Sequence, residues 1–159
     1  MINIPTDNEI QSFYEKYAVP SHVIKHMKAV ADFQDEILDM LEEKGYEYDR
    51  LLLRAAALLH DIARLEKNHA AAGARYLAEA GYPEISEIVA LHHSVEMQKN
   101  EIPGPAEILF YADKRVAEDQ VISIEDRFAR SLAKCKTPEA LKKHAQLKEK
   151  SLKIEKLLF

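Results

Sequence analysis

The fold of this chain is decided by the stretch AAALLHDIAR, residues 55–64, which is apolar apart from its His60-Asp61 pair and its final Arg64. A helix that is apolar on every side normally lies buried in the middle of a domain. Burying an ionised carboxylate without a partner is very costly, so Asp61 needs a cation or several hydrogen-bond donors. Imidazole and carboxylate together suit first-row divalent metals, which favours a metal site. If the His60-Asp61 pair is considered alone, the alternative to a metal site is the end of a surface helix that the histidine and the aspartate cap.

The composition of the chain is that of one soluble globular domain. Its 159 residues, 47% hydrophobic and 31% charged, can bury a sizeable core. The formal charge of -5 argues against non-specific nucleic-acid binding, and no apolar run approaches the ~18 residues of a membrane span. The single cysteine, Cys135, excludes an intrachain disulfide and suits a reducing compartment. Because residues 1–9 also lack the features of a secretory signal, we expect a cytoplasmic protein.

The histidines are distributed unevenly along the chain. Six of the seven lie between His22 and His93, and only His144 falls outside this range. Histidine has no special reason to cluster in a structural core. The clustering therefore favours a metal or catalytic site.

Hydrophobic periodicity and capping signals predict an all-α fold without a competing strand signal. Thr6 with Glu9 forms a capping-box pattern, Pro20 suits the first turn of a long helix, and Asp49 can cap the central helix. The apolar face of the long helix carries His22 and His26 where core residues are expected. The predicted helices cover about 7–17, 21–44, 50–65, 70–80, 83–93 and 105–118, followed by one after Ser123 and one at 138–159. We expect a single domain over 1–159, with a core at about 20–130 and the C-terminal helices at 124–159 packed on it.

Two further features bear on a site. Asp113 lies within the apolar surface of the helix predicted at 105–118, so a second carboxylate of the buried type requires a partner. The polar stretch 94–105 carries two prolines around Gly104 and could border a site. The lysines of the last helix are interpreted as a solvated face.

The histidines and carboxylates follow an order that resembles the HD superfamily of metal-dependent phosphohydrolases. The resemblance covers about residues 20–130 and includes a histidine, a histidine-aspartate pair, further histidines and a final aspartate, each in a helical context. The residues that carry it are His26, LLHDI at 58–62, Asn68-His69, Leu91-His92-His93 and YADK at 111–114. The resemblance implies a compact single-domain helical bundle of the HD-domain type.

The resemblance also implies a ligand set. In the family pattern, His26, His60, Asp61 and Asp113 bind one metal ion. The additional histidines of the dinuclear members match His69 and His92, with His93 adjacent as a further ligand or a supporting residue, and the residue equivalent to Asp61 bridges the two ions. The expected cofactor is one or two divalent ions, with Fe, Mn, Ni, Co and Mg as the candidates.

The expected chemistry follows from these ligands. Two close divalent ions can clamp a phosphate and lower the pKa of a bridging water toward ~7, which makes hydroxide available at neutral pH. Asp61 is the expected catalytic residue, because it would touch both ions and orient the water. Arg64 and Lys114 are candidates to bind the phosphate. The alternatives are a cation at a helix C-terminus for Arg64 and an exposed lysine for Lys114.

The expected substrate is a small phosphorylated molecule, with a nucleotide as the favoured choice. A cyclic-di-GMP phosphodiesterase of the Gly-Tyr-Pro type is not favoured, because Ser94-Val95-Glu96 follows His93. Two other functions stay open, namely an HD-type di-iron oxygenase and a non-catalytic module that senses a nucleotide. No membrane or nucleic-acid partner is expected, and the oligomeric state is left open.

Overall fold

The computed structural model describes residues 2–92 and 103–159, which form eight helices and one two-stranded hairpin. The all-α prediction is confirmed, with the hairpin as a small addition. His93 and residues 94–102 lie outside the described residues. The elements are α1 (Asp7–Lys16), α2 (Ser21–Glu43), α3 (Arg50–Leu59), α4 (His69–Glu79), α5 (Pro83–Leu91), α6 (Pro105–Lys114), β1 (Val116–Ala117), β2 (Gln120–Val121), α7 (Ile124–Leu132) and α8 (Pro138–Leu158).

Side-chain caps fix the starts of several helices. The predicted capping box of α1 is present, since the Glu9 amide donates to the Thr6 hydroxyl and the Thr6 amide donates to the Glu9 carboxylate. Asp49 accepts from the Leu52 amide at 3.1 Å and begins α3. Each such cap contributes about 1 kcal/mol to helix stability. The Asp49 cap therefore fixes the residue at which α3 starts.

The core is built around an antiparallel pair, α2 and α3, with α6 packed across it. Gln34 in α2 donates to the Leu53 carbonyl in α3 at 2.8 Å, and further along the pair the Asp61 amide donates to Met27 Sδ. The middle of α6, residues 108–112, is completely buried. Because both helices of the pair meet α6 near the same end, polar residues there come together inside the apolar core.

The central helix ends earlier than the sequence indicates. It was predicted to continue to about Leu65, but α3 stops at Leu59 and residues 60–65 form turns. The Asp61 amide leaves the helical hydrogen-bond pattern to donate to Met27 Sδ at 3.3 Å. The apolar run therefore continues past the helix end, because residues 60–63 are buried by tertiary packing and not by helix periodicity.

The helix predicted at 105–118 is also shorter than expected. Helix α6 ends at Lys114, and Val116–Ala117 forms β1, which pairs with Gln120–Val121. The amide of Ile122 donates to the Arg115 carbonyl at 2.7 Å and closes the base of this hairpin. No strand was predicted here, because two-residue strands are too short to show a period.

Helices α7 and α8 pack against the body of the fold. The Lys44 ammonium donates to the Leu158 carbonyl at 2.7 Å, and the Tyr111 hydroxyl donates to Glu155 at 2.5 Å. Ile154 and Leu158 are fully buried. Among residues 2–92 and 103–159, none of the helices combines the length and the apolar character that a membrane crossing requires.

Candidate metal centre

Two histidines and two aspartates from three helical regions converge at one end of the α2–α3 pair. His26 lies inside α2, His60 is the C-cap of α3, Asp61 follows it, and Asp113 lies near the end of α6. Each residue offers a ligand atom, and these atoms all lie within 4.8 Å of one another. Helix α2, the end of α3 with the turn after it, and the end of α6 bring the four residues together.

The distances inside the cluster are short. Nε2 of His26 lies 2.9 Å from Oδ1 of Asp113 and 3.9 Å from Oδ2 of Asp61. Nε2 of His60 lies 3.3 Å from the same Asp113 atom and 3.5 Å from the same Asp61 atom. Two imidazole nitrogens and two carboxylate oxygens therefore surround one small volume.

The ring orientations follow from the hydrogen bonds at Nδ1. Nδ1 of His60 lies 2.6 Å from the Ala57 carbonyl oxygen, and Nδ1 of His26 lies 2.8 Å from the Glu118 carbonyl oxygen. A carbonyl oxygen only accepts, so Nδ1 carries the proton in both rings. In a neutral ring, Nε2 is then a lone-pair donor that faces a carboxylate. Such an arrangement requires a proton or a metal ion between the two.

The burial of the carboxylates makes the same demand for positive charge. Asp61 is 3% exposed and Asp113 is 5% exposed, and two buried carboxylates without compensation would be very costly. Oδ1 of Asp61 makes no hydrogen bond within the described part of the chain. The two-nitrogen, two-oxygen donor set therefore fits a first-row divalent ion.

The protonation equilibria show how a proton substitutes for a metal ion here. Burial opposes the charged form of His60, but Asp61 and Asp113 raise its pKa to about 9. Burial also acts to raise the pKa of Asp113, yet hydrogen bonds from His26 and His60 hold that pKa well below its usual value. For Asp61, burial acts to raise the pKa, but the charges on His60, His92 and Arg64 together lower it. Protons and divalent ions therefore compete for the same nitrogens.

A cavity of about 520 Å³ opens beside the cluster. Arg64 and Lys114, the predicted phosphate-binding residues, both line it. Nη1 of Arg64 lies 3.7 Å from Asp61, and Nζ of Lys114 lies 3.8 Å from Asp113. The other polar and charged residues of its wall are His22, Lys25, His26, Asp61, Asp113, Glu118, Asp119 and Arg127.

The remaining predicted ligands are placed differently. His92 is the buried C-cap of α5, and its Nε2 lies 4.0 Å from Oδ1 of Asp61. Its Nδ1 lies 2.5 Å from the Val89 carbonyl oxygen, the same arrangement as in His60. His69 begins α4 and is not one of the four residues that converge. His93 lies outside the described residues.

Sequence reasoning missed several residues of this site. Lys25 and Arg127 line the cavity but were not singled out, and Glu118 supplies the carbonyl that meets His26. Lys25 lies one residue before His26, a spacing that could have drawn attention to it. No sequence signal connects Glu118 or Arg127 to His26, since more than 90 residues separate each of them from it.

The fold and the site define a helical domain that gathers histidines and aspartates around a metal position. The profile of the HD domain family matches residues 23–131. The chain therefore belongs to the HD superfamily of metal-dependent phosphohydrolases, a family that is largely hydrolases and whose domains bind divalent metals. The resemblance noted from the sequence is confirmed.

One curated relative is similar over much of its length. It is Uncharacterized protein MJ0778 of Methanocaldococcus jannaschii, 29% identical over 136 residues, with 71% of this chain and 79% of the relative covered. No solved structure matches the chain significantly.

Proposed function

We propose that this protein hydrolyses a phosphate ester or anhydride of a small, nucleotide-like substrate with the help of one or two divalent metal ions. The observation that carries the proposal is the convergence of His26, His60, Asp61 and Asp113 on one volume beside a cavity. Membership of a largely hydrolytic, metal-binding family supports it.

The four converging residues would hold the first metal ion. A divalent ion there supplies Lewis-acid chemistry: it polarises a phosphoryl oxygen and lowers the pKa of water. Asp61 points one oxygen at His26 and His60, while its other oxygen lies 4.0 Å from His92. In the dinuclear form of the proposal, Asp61 would help to hold both ions, and His69, His92 and His93 would be the further residues that hold the second.

Arg64 and Lys114 are suited to bind phosphoryl oxygens. The side chain of Arg64 is 53% exposed, and its Nη1 lies 3.7 Å from the buried Asp61, so the guanidinium lies at the rim of the cavity beside the cluster. The side chain of Lys114 is only 12% exposed, and burial lowers its pKa. Arg64 thus provides a planar donor at the exposed rim, and Lys114 provides a point charge at a more buried place.

The cavity favours an anionic ligand of modest size. Its volume of about 520 Å³ lies in the range of small-molecule sites. Apart from the metal-centre residues, its wall has cationic Lys25, Arg64, Lys114 and Arg127 against acidic Glu118 and Asp119. Once a divalent ion balances Asp61 and Asp113, the rest of the wall carries two more cationic than acidic side chains, although the whole chain has a formal charge of -5. A local charge of opposite sign to the whole chain attracts phosphate-bearing substrates.

The test is a metal-dependent activity screen. Protein purified without chelator is analysed for Fe, Mn, Co, Ni, Zn and Mg, and it is assayed against nucleotides, dinucleotides and an aryl phosphate. We expect about one or two ions per chain. We also expect turnover that is lost when chelator is added and that returns when a divalent ion is supplied. A fully metallated sample that binds nucleotides without cleaving them indicates a sensing module. Turnover coupled to iron oxidation and oxygen consumption indicates an oxygenase.

The cellular setting is part of the same proposal. A single cysteine suits a reducing compartment, so we propose a cytoplasmic location. The proposed partner is the small phosphorylated substrate itself. Fractionation of cells that express the tagged protein tests the location.

A further inference from the structure

The histidines of the centre obtain their Nδ1 partners in two different ways. His60 and His92 cap helices and reach the carbonyl three residues before them, Ala57 and Val89. Carbonyls in the last turn of a helix are available for this because they lack a full set of intrahelical donors. His26 lies inside α2, where the nearby carbonyls accept helical hydrogen bonds. Its ring therefore needs a carbonyl from elsewhere in the chain.

That carbonyl belongs to Glu118, in the two-residue loop between β1 and β2. Glu118 has a φ of 56°, in the left-handed region. A two-residue hairpin loop with positive φ at its first residue normally takes glycine there. For glutamate the conformation is costly, and it persists only where the surroundings determine it strongly.

The base of the hairpin is fixed by contacts on both sides. Nε of Arg115 donates to the Ile122 carbonyl at 2.5 Å, and the Arg115 guanidinium lies over the ring of Phe33 in α2 at 4.9 Å. Nη1 of Arg127 donates to the Val116 carbonyl at 3.3 Å. The loop is thereby held against α2, the helix that carries His26.

We propose that the Glu118 carbonyl is the positioning group of His26, and that the left-handed backbone at Glu118 is what presents it. The bond places the proton on Nδ1 and aims Nε2 at Asp61 and Asp113. Groups that hydrogen-bond to a metal-ligating histidine orient its ring and thereby affect the affinity of the site for the metal. The inference rests on the metal centre of the proposed function, but it assigns the role to a main-chain atom of a residue that sequence patterns do not mark.

The experiment compares three variants. Glu118→Val places a β-branched residue where φ is positive, which such residues tolerate poorly, so the carbonyl should move. Glu118→Gly keeps the carbonyl and the conformation but removes the side chain. Ala18→Val is the matched control: Ala18 is the other non-glycine residue with positive φ in the described part of the chain, and it does not line the cavity.

Two readouts are measured besides thermal unfolding. The first is cobalt(II) affinity, followed by visible absorption. The second is the exchange-protected Nδ1–H signal of His26 in metal-free protein, observed by NMR. We expect Glu118→Val to lose about 10- to 100-fold in cobalt affinity and to lose the protected signal. Glu118→Gly should keep both, and Ala18→Val should lower the melting temperature without changing either.

Several outcomes overturn the inference. Equal loss of affinity in Glu118→Gly and Glu118→Val assigns the effect to the carboxylate side chain, and an equal loss in Ala18→Val assigns it to general destabilisation. Absence of the protected signal in the wild-type protein overturns it even if Glu118→Val does not fold. A wild-type protein that binds no divalent ion contradicts the proposed function instead, and the NMR signal still tests the role of Glu118.

Discussion

The two ends of the α2–α3 pair carry clusters of acidic residues that are neutralised in opposite ways. At one end, Arg54 lies 2.7 Å from Asp35 and Arg50 lies 2.5 Å from Asp39, and all of these side chains are partly or largely exposed. At the other end, Asp61 and Asp113 are buried, and their closest basic neighbours inside the cluster are histidines. The first cluster is a set of ion pairs and the second is a candidate metal site.

The difference shows which kind of acidic cluster indicates a metal site. Arginine is always charged, so the carboxylates of the exposed cluster already face permanent cations, and each exposed pair contributes only about 0–1 kcal/mol. Histidine is neutral whenever it acts as a metal ligand, so between its histidines and aspartates the buried cluster has room for a bound cation, with only Arg64 and Lys114 as permanent charges at its edge. Two features therefore distinguish the candidate metal site from a structural ion pair: its carboxylates are buried, and their nearest partners are histidines, whose charge can change.

Removal of Asp61 should give the largest difference between the two ends. Asp61→Ala should abolish turnover and lower the metal content, because the central ligand is lost. The fold should survive, since a buried charge is removed together with the ion that compensates it. Metal analysis, circular dichroism and kinetics check this, with Asp35→Ala as the control from the exposed cluster. Full metal content and full activity in Asp61→Ala would disprove the central role of Asp61.

Metal binding should stabilise the fold through the buried cluster and not through the exposed one. A free ion concentration a thousand times Kd should stabilise the fold by ~4 kcal/mol, or roughly 8–16 °C in Tm for a chain of this size. The gain should disappear in Asp61→Ala and persist in Arg54→Ala. Calorimetry with and without chelator measures it, and an equal gain in both variants would place the ion outside the cluster.

Substitution of Arg64 should lower activity without affecting the metal. Arg64→Ala removes a charge-assisted hydrogen bond to phosphate worth roughly 1.5–3 kcal/mol, so kcat/KM should fall about 10- to 100-fold. Arg75→Ala, an exposed arginine of α4 that does not line the cavity, is the control. Loss of metal or unfolding in Arg64→Ala would make Arg64 a structural residue, and the phosphate contact would then be sought at Lys114.

Substitution in the exposed cluster should have the smallest effect. Arg54→Ala should lower the free energy of unfolding by about 1 kcal/mol or less, and the difference should shrink in high salt, because exposed charges are screened. Its metal content should equal that of the wild-type protein. Urea denaturation at low and high salt gives the comparison, and a loss of several kcal/mol would show that this cluster is more than a surface network.

The sequence predicted most of the helices and the four converging residues because both leave local signals. The caps at Thr6 and Asp49 mark helix starts, and the order of histidines and aspartates marks the family. The end of α3 could not be predicted in this way. Its apolar run continues because residues 60–63 are buried by neighbouring elements, so hydrophobicity alone extends the helix too far.

The geometry around the four residues depends on contacts between distant parts of the chain. The Glu118 carbonyl reaches His26, and Arg127 joins Lys25 in the wall of the cavity. A glutamate at a positive-φ loop position gives no turn signal, because glycine or asparagine is the residue expected there. The roles of His69 and His93 stay predictions.

Because the His60 ring donates to the Ala57 carbonyl, the length of helix α3 determines where this ring lies and which way it points. One inserted residue anywhere between the Asp49 cap and His60 would swing the ring by about 100° around the helix axis and carry it ~1.5 Å along it. Almost any apolar residue of suitable volume can be exchanged within this helix at moderate cost, whereas a change of its length by one cannot be absorbed. Substitutions and insertions in α3 should therefore fall under different constraints, the first set by packing and the second by the direction in which a single imidazole points.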